Sequence, residues 1–139
     1  MADDFYREFE HTGYTGIEVE APSRAELFAR AAVAMGRIMV APDGIAPAER
    51  RMVQASADTD EDLMHDLLSA ALSLFLCDGF IWCDAQAEEL PGAVALTLAG
   101  EPFNRRRHQL LTEIKAVTYH QLKVEQIGGA WRARIIFDV

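Results

Sequence analysis

Residues 58–79, "DTDEDLMHDLLSAALSLFLCDG", constrain the fold more than any other stretch. Leu63, Leu67, Leu68, Ala71, Leu72, Phe75 and Leu76 recur with helical period, and Gly79 supplies a C-terminal stop. Asp58, Asp60, Glu61 and Asp62 crowd the start, where the helix dipole favours negative charge. That cluster reads as a solvated helix start rather than a metal site. A helix with so broad an apolar face needs a second layer to cover it.

Strands supply that layer. "FYREFEHTGYTGIEVEA" predicts two short strands around a bend at Gly13 to Gly16. "PSRAELFARAAVAMGRIM" predicts a first helix, with Ser23 as N-cap, Glu26 three residues on, and Leu27, Phe28, Ala31, Met35, Ile38 and Met39 on one stripe. Pro42, Asp43, Gly44 and Pro47 end it. Further strands are expected at "RRMVQASA", from Phe80 to Asp84 or beyond, and over Ala93 to Ala99 after the Pro91-Gly92 turn. "TEIKAVTYH" and "LKVEQI" follow, and "AWRARIIFDV" comes last, after a Gly128-Gly129 turn. Two helices among many strands without βαβ alternation predict an α+β fold: two helices packed on a largely antiparallel β-sheet, in one domain spanning residues 1–139.

The chain of 139 residues carries a net charge of -9, which opposes sequence-independent binding to nucleic acid but suits a basic partner or a cation. No stretch reads as a signal peptide or a bilayer-spanning run, so a cytoplasmic protein is expected. Cys77 and Cys83 follow no CxxC or zinc-ribbon spacing and are expected to be reduced and packed.

The chemistry centres on the last five residues, "IIFDV". Strand parity puts Trp131, Ala133, Ile135, Phe137 and Val139 on one face and Arg132, Arg134, Ile136 and Asp138 on the other. Asp138 is then a solvated terminal acid, or it is satisfied by a basic side chain or a metal ion. With the oxygens of Val139 it offers hard ligands that suit calcium or magnesium better than zinc. P-loop, GxGxxG, HExxH and GxSxG signatures are absent, and His11, His65, His108 and His120 show no ligand spacing. His65 reads as structural and Cys77 as a packed thiol. "NRRRH", Asn104 to His108, is the one dense positive patch, suited to a phosphate or an acidic surface.

Four stretches in order resemble the archease family: "EHTGYTGIEVEA", "ELFARAAVAM", "GEPFNRRRHQLLTEIKAVTYHQLKV" and "AWRARIIFDV". The resemblance implies a non-enzymatic cofactor of the RtcB-type RNA ligase in tRNA splicing and RNA repair. Such a cofactor speeds guanylylation of the ligase's active-site histidine and helps multiple turnover. It would meet nucleic acid only through the ligase. The resemblance also implies a divalent cation, calcium or magnesium, held by Asp138, Val139 and the second aspartate of the family's opening motif. Here Tyr14 stands at that second aspartate's position and Glu10 at the first's. Glu18 and Glu10 are the candidate substitutes for the missing carboxylate, and Glu18 shares Tyr14's strand face. Lys115 matches the motif lysine of the family's functional site, and Arg105, Arg106 and Arg107 are candidate partner or phosphate contacts. A small metal-dependent phosphohydrolase using Asp138, Glu10 and a histidine, and a chaperone or scaffold domain, remain as alternatives.

Overall fold

The computed structural model describes residues 5–139. Strand β1 (Tyr6–His11) turns through Thr12 and Gly13 into β2 (Tyr14–Ala21). Gly13 takes φ 84°, so the bend is tighter than expected and leaves Gly16 inside β2. Helix α1 (Arg24–Met39) starts at Ser23, whose Oγ accepts from Glu26 N at 3.2 Å. Strand β3 (Glu49–Ala55) leads into α2 (Asp60–Asp78), capped by Thr59 and stopped by Gly79 at φ 68°. Strands β4 (Phe80–Leu90), β5 (Ala93–Pro102), β6 (Ala116–Val117), β7 (Lys123–Ile127) and β8 (Ala130–Asp138) complete the chain.

The α+β class holds, with every strand pair antiparallel, but the strands form two sheets rather than one. The larger runs β1-β2-β8-β6, with β7 also paired to β8; the smaller runs β3-β5-β4. The division follows from two long strands, β5 and β8, each with neighbours on both edges. Helix α1 packs on β4 and β2, while α2 packs on β3, β4, β6 and β7. Leu27, Phe28, Met35, Met64, Leu67 and Leu68 are almost wholly buried between helices and sheets. Each such side chain contributes about 1.5–3 kcal/mol of transfer free energy. Trp82 lies against Gly36 and donates from Nε1 to Ala32 O at 2.9 Å, tying β4 to α1. At the irregularity between Trp82 and Asp84, β5 approaches β4 so closely that a Cβ at Gly100 would sit 1.8 Å from Ile81 O.

Four expectations are corrected. Of "TEIKAVTYH", only Ala116 and Val117 join a ladder. The upper part of the same β8 edge is taken by β7, and the chain must turn at Tyr119–Leu122 to reach it. Cys77 is exposed rather than packed, and Leu76 is 56% exposed, because the last turn of α2 outruns the layer beneath it. Ile136, on the face opposite the core, is only 2% exposed, because Phe9 lies across neighbouring Gly16. Val139 lies outside the core, 36% exposed, since β8 ends at Asp138. Among the described residues, no helix is long and apolar enough to cross a membrane.

Candidate functional site

Strand register assembles the C-terminal site. Tyr14 of β2 is the direct partner of Asp138 in β8, and Asp138 is in turn the partner of Ala116 in β6. Cross-strand partners share a face of the sheet, with Cα atoms about 4.5–5.5 Å apart. Lys115 N donates to Asp138 O at 2.8 Å, which fixes Lys115 beside the terminus. Lys115, Val139, Leu110, Leu111, Thr112 and Glu113 line an open cleft of about 570 Å³. Asp138 and Lys115 are both exposed. Among the described residues neither makes an ion pair, with each other or with any other side chain.

The turn after β6 stands over this row. Thr118 donates to Ile136 O through both its N–H, at 3.0 Å, and its Oγ1, at 2.9 Å. Gln121 adopts φ 53° and accepts from Arg134 Nη2 at 3.1 Å, anchoring the strained residue. His120 packs edge-on against Tyr14, ring centres 6.5 Å apart, and Tyr119 stacks on His65 at 4.0 Å. The His65 Nδ1 also lies 3.0 Å from Asp66 Oδ1. His120 is a neighbour of the site that spacing alone did not reveal. The 105 residues between Tyr14 and His120 carry no local signal of their approach, which depends on both flanking β8.

Glu18 and Glu10 stand apart from Asp138. Glu18 accepts hydrogen bonds from Arg7 and, at 2.8 Å, from Arg134. The Arg7 bond foremost, with Arg134 behind it, lowers its pKa below the ordinary carboxylate value. It lies four residues from Tyr14, about 13 Å along an extended strand. Glu10 pairs with Thr15 and thus with the Phe137 row, on the opposite sheet face from Tyr14 and Asp138. Arg134 also lies over the Phe9 ring at 4.2 Å, so this part of the outer sheet face is an ionic and aromatic lattice.

The donor set at the terminus can therefore be tested against a divalent cation. Asp138 and the backbone oxygen of Val139 supply hard oxygens, and Tyr14 supplies a phenol rather than a carboxylate. Among the described residues, no three His, Cys, Asp or Glu side chains gather in ligating reach. One side-chain carboxylate, a backbone oxygen and a phenol fall well short of the six to eight oxygens of a full calcium shell. The residues do not fit a closed calcium site.

The basic run folds around a different carboxylate. Glu101 is 8% exposed and accepts from Ala46 N at 2.8 Å and from Arg107 Nη2 at 2.5 Å. Its Oε2 lies 2.9 Å from His108 Nε2. The Ala46 N–H, then Arg107, then His108 pull its pKa down to about 2. His108 Nδ1 accepts from Asn104 N at 2.8 Å, which puts the ring proton on Nε2, facing Glu101. Arg107 is thereby part of the internal framework. Arg105 and Arg106 are exposed.

Fold and site together define a small α+β domain whose distinctive chemistry is the exposed Asp138 carboxylate at the end of the last strand, with a lysine beside it. A family model described as the Archease protein family (MTH1598/TM1083) matches residues 6–139, and the chain belongs to that family. "Protein archease" from Methanopyrus kandleri is 32% identical, over 96% of this chain and 99% of the relative. "Protein archease" from Methanosarcina mazei is 30% identical, over 96% and 95%. The solution structure of Methanobacterium thermoautotrophicum protein 1598 superposes with a TM-score of 0.78 at 26% identity, covering 100% of both chains. The crystal structure from Thermotoga maritima, titled an archease and "possible chaperone", superposes with a TM-score of 0.67 at 25% identity over 94% of each chain.

Proposed function

We propose that this chain is a non-enzymatic accessory protein of an RtcB-type RNA ligase in the cytoplasm, serving tRNA splicing and RNA repair. It promotes guanylylation of the ligase histidine and repeated turnover. One observation carries the reading within the family: Asp138 and Lys115 are held side by side by the Lys115 N–Asp138 O bond, yet neither charge is neutralised internally. Unspent opposite charges on a rigid strand end are suited to groups supplied by a partner. Asp138 and the backbone oxygens of Val139 attract a cation of the complex, and Lys115 meets phosphate or a partner carboxylate. A calcium or magnesium ion bound here takes only part of its shell from this chain, so its affinity is low until the ligase or water completes it.

The experiment is a guanylylation time course of the ligase with GTP and metal, with and without this protein. Acceleration together with multiple turnover of RNA joining is expected. An unchanged rate and turnover eliminate the reading. The Thermotoga maritima relative, described as a possible chaperone, favours a second reading. Suppression of ligase aggregation with no effect on the guanylylation rate of soluble ligase is its signature.

A further inference from the structure

We propose that the loop Asn104–His108 is a preformed clamp for the phosphodiester backbone of single-stranded RNA, with Arg105 and Arg106 as the contacting groups and Arg107 as their strut. The RNA in question rests on the accessory-protein reading above; the clamp itself rests on charge and geometry.

The chain has 13 lysines and arginines against 22 acids, so most of its basic groups are expected to find internal carboxylates. Among the described residues Arg50, Arg105, Arg106 and Lys115 make no ion pair. Arg105 and Arg106 are the adjacent ones, and the loop that carries them is built to a single shape. Asn104 O accepts from Arg107 N at 2.9 Å and His108 N at 2.8 Å, and Asn104 Oδ1 accepts from Arg106 N at 2.9 Å. Asn104 N donates to the buried His108 ring, and that ring is locked against Glu101. Gly44 approaches from beneath, where a Cβ would lie 3.1 Å from Arg107 O. The third arginine is consumed by Glu101, leaving two guanidiniums outside on a backbone already ordered.

A pre-ordered pair of guanidiniums loses little entropy on binding and matches phosphate oxygens in bidentate fashion. From Asn104 to Gln109 every exposed side chain is polar, so the apolar centre expected of a protein–protein hot spot is missing from the loop. That favours phosphate over an acidic protein surface. The net charge of -9 keeps general affinity for nucleic acid low and favours contact where positive charges are adjacent, as here.

The test titrates the isotopically labelled full chain with a short single-stranded RNA ending in a 3′-phosphate, following loop amides and arginine Nε–H signals by NMR. Shifts centred on residues 104–108 are expected. With two phosphates engaged, a fourfold rise in salt weakens binding about sevenfold. The double variant R105Q/R106Q loses the shifts, whereas R105K/R106K keeps the salt dependence. Absent shifts, equal shifts in R105Q/R106Q, or tighter binding of a polyglutamate peptide than of RNA overturns the clamp. A wild-type chain that fails to accelerate guanylylation but shows these loop shifts refutes the accessory reading and leaves the clamp standing. Acceleration without loop shifts does the reverse.

Discussion

Tyr14 and Asp138 face each other across β2 and β8, so a phenol stands where a second side-chain carboxylate would add a hard oxygen to the proposed cation site. Restoring that carboxylate is a direct test of the site's geometry. Tyr14→Asp is expected to tighten calcium binding by about tenfold or more, equivalent to about 1.4 kcal/mol. Asp138→Asn is expected to weaken it in both backgrounds. Isothermal titration calorimetry with the four proteins checks this, and equal affinities throughout would contradict the assignment.

Lys115 reaches the terminus through its backbone, and its side chain is free of internal ion pairs. Lys115→Ala therefore keeps the N–H bond to Asp138 and is expected to change stability by less than about 0.5 kcal/mol. Its effect should appear in function: stimulation of ligase guanylylation falls by about an order of magnitude, as one charge-assisted contact is lost. Full stimulation by this variant, or by Asp138→Ala, would remove the C-terminal site from the proposed mechanism.

Glu101 makes stability depend on acid. Its pKa is depressed from 4.5 to about 2, so the folded state prefers the ionised form. The resulting stabilisation is complete above the ordinary value of 4.5 and is lost as pH falls from there toward about 2. Glu101→Gln is expected to lower Tm at neutral pH, since an amide cannot accept from Ala46, Arg107 and His108 together. Thermal scans from pH 7 down to 2 should show the two proteins converging in acid; a constant gap is the contrary outcome.

Gly100 and Gly13 separate two reasons for glycine. At Gly100 a Cβ meets backbone, 1.8 Å from Ile81 O and 2.6 Å from Trp82 Cα, and β4 cannot step aside without breaking the Trp82–Ala32 tie. Gly100→Ala is expected to cost about 3 kcal/mol or more. At Gly13 nothing lies within 4 Å and only the φ of 84° objects. Gly13→Ala should cost about 1–2 kcal/mol. Urea unfolding of both variants decides; a larger loss at Gly13 would refute the ranking.

Local rules read well where the cause is local. Ser23 and Gly79 bound their helices because capping involves neighbours in the chain, and the stripe from Leu63 to Leu72 is buried as its period requires. Along β8 the alternation holds at Ala133, Ile135 and Phe137, all buried. It misleads at Ile136, whose cover comes from Phe9 of another strand, and at Leu76 and Cys77, which keep the helical pattern after the helix has left the layer below. The motif residues Tyr14, Lys115, Asp138 and Val139 were named from the chain, but whether Glu18 could serve with them depended on Arg7 and Arg134.

Taken alone, the chain determined two capped helices, the strands that alternate with them and the parity of its final strand. Those depend on interactions a few residues long, which sequence order preserves. Tertiary structure decided that the strands divide into two sheets, that Tyr14 and His120 meet beside Asp138, and that Arg107 pairs with Glu101 while Arg105 and Arg106 make no such pair. Parity assigns a side chain to a face, but its neighbours on that face come from strand order. Strand order is set by which apolar surfaces cover one another over the whole domain.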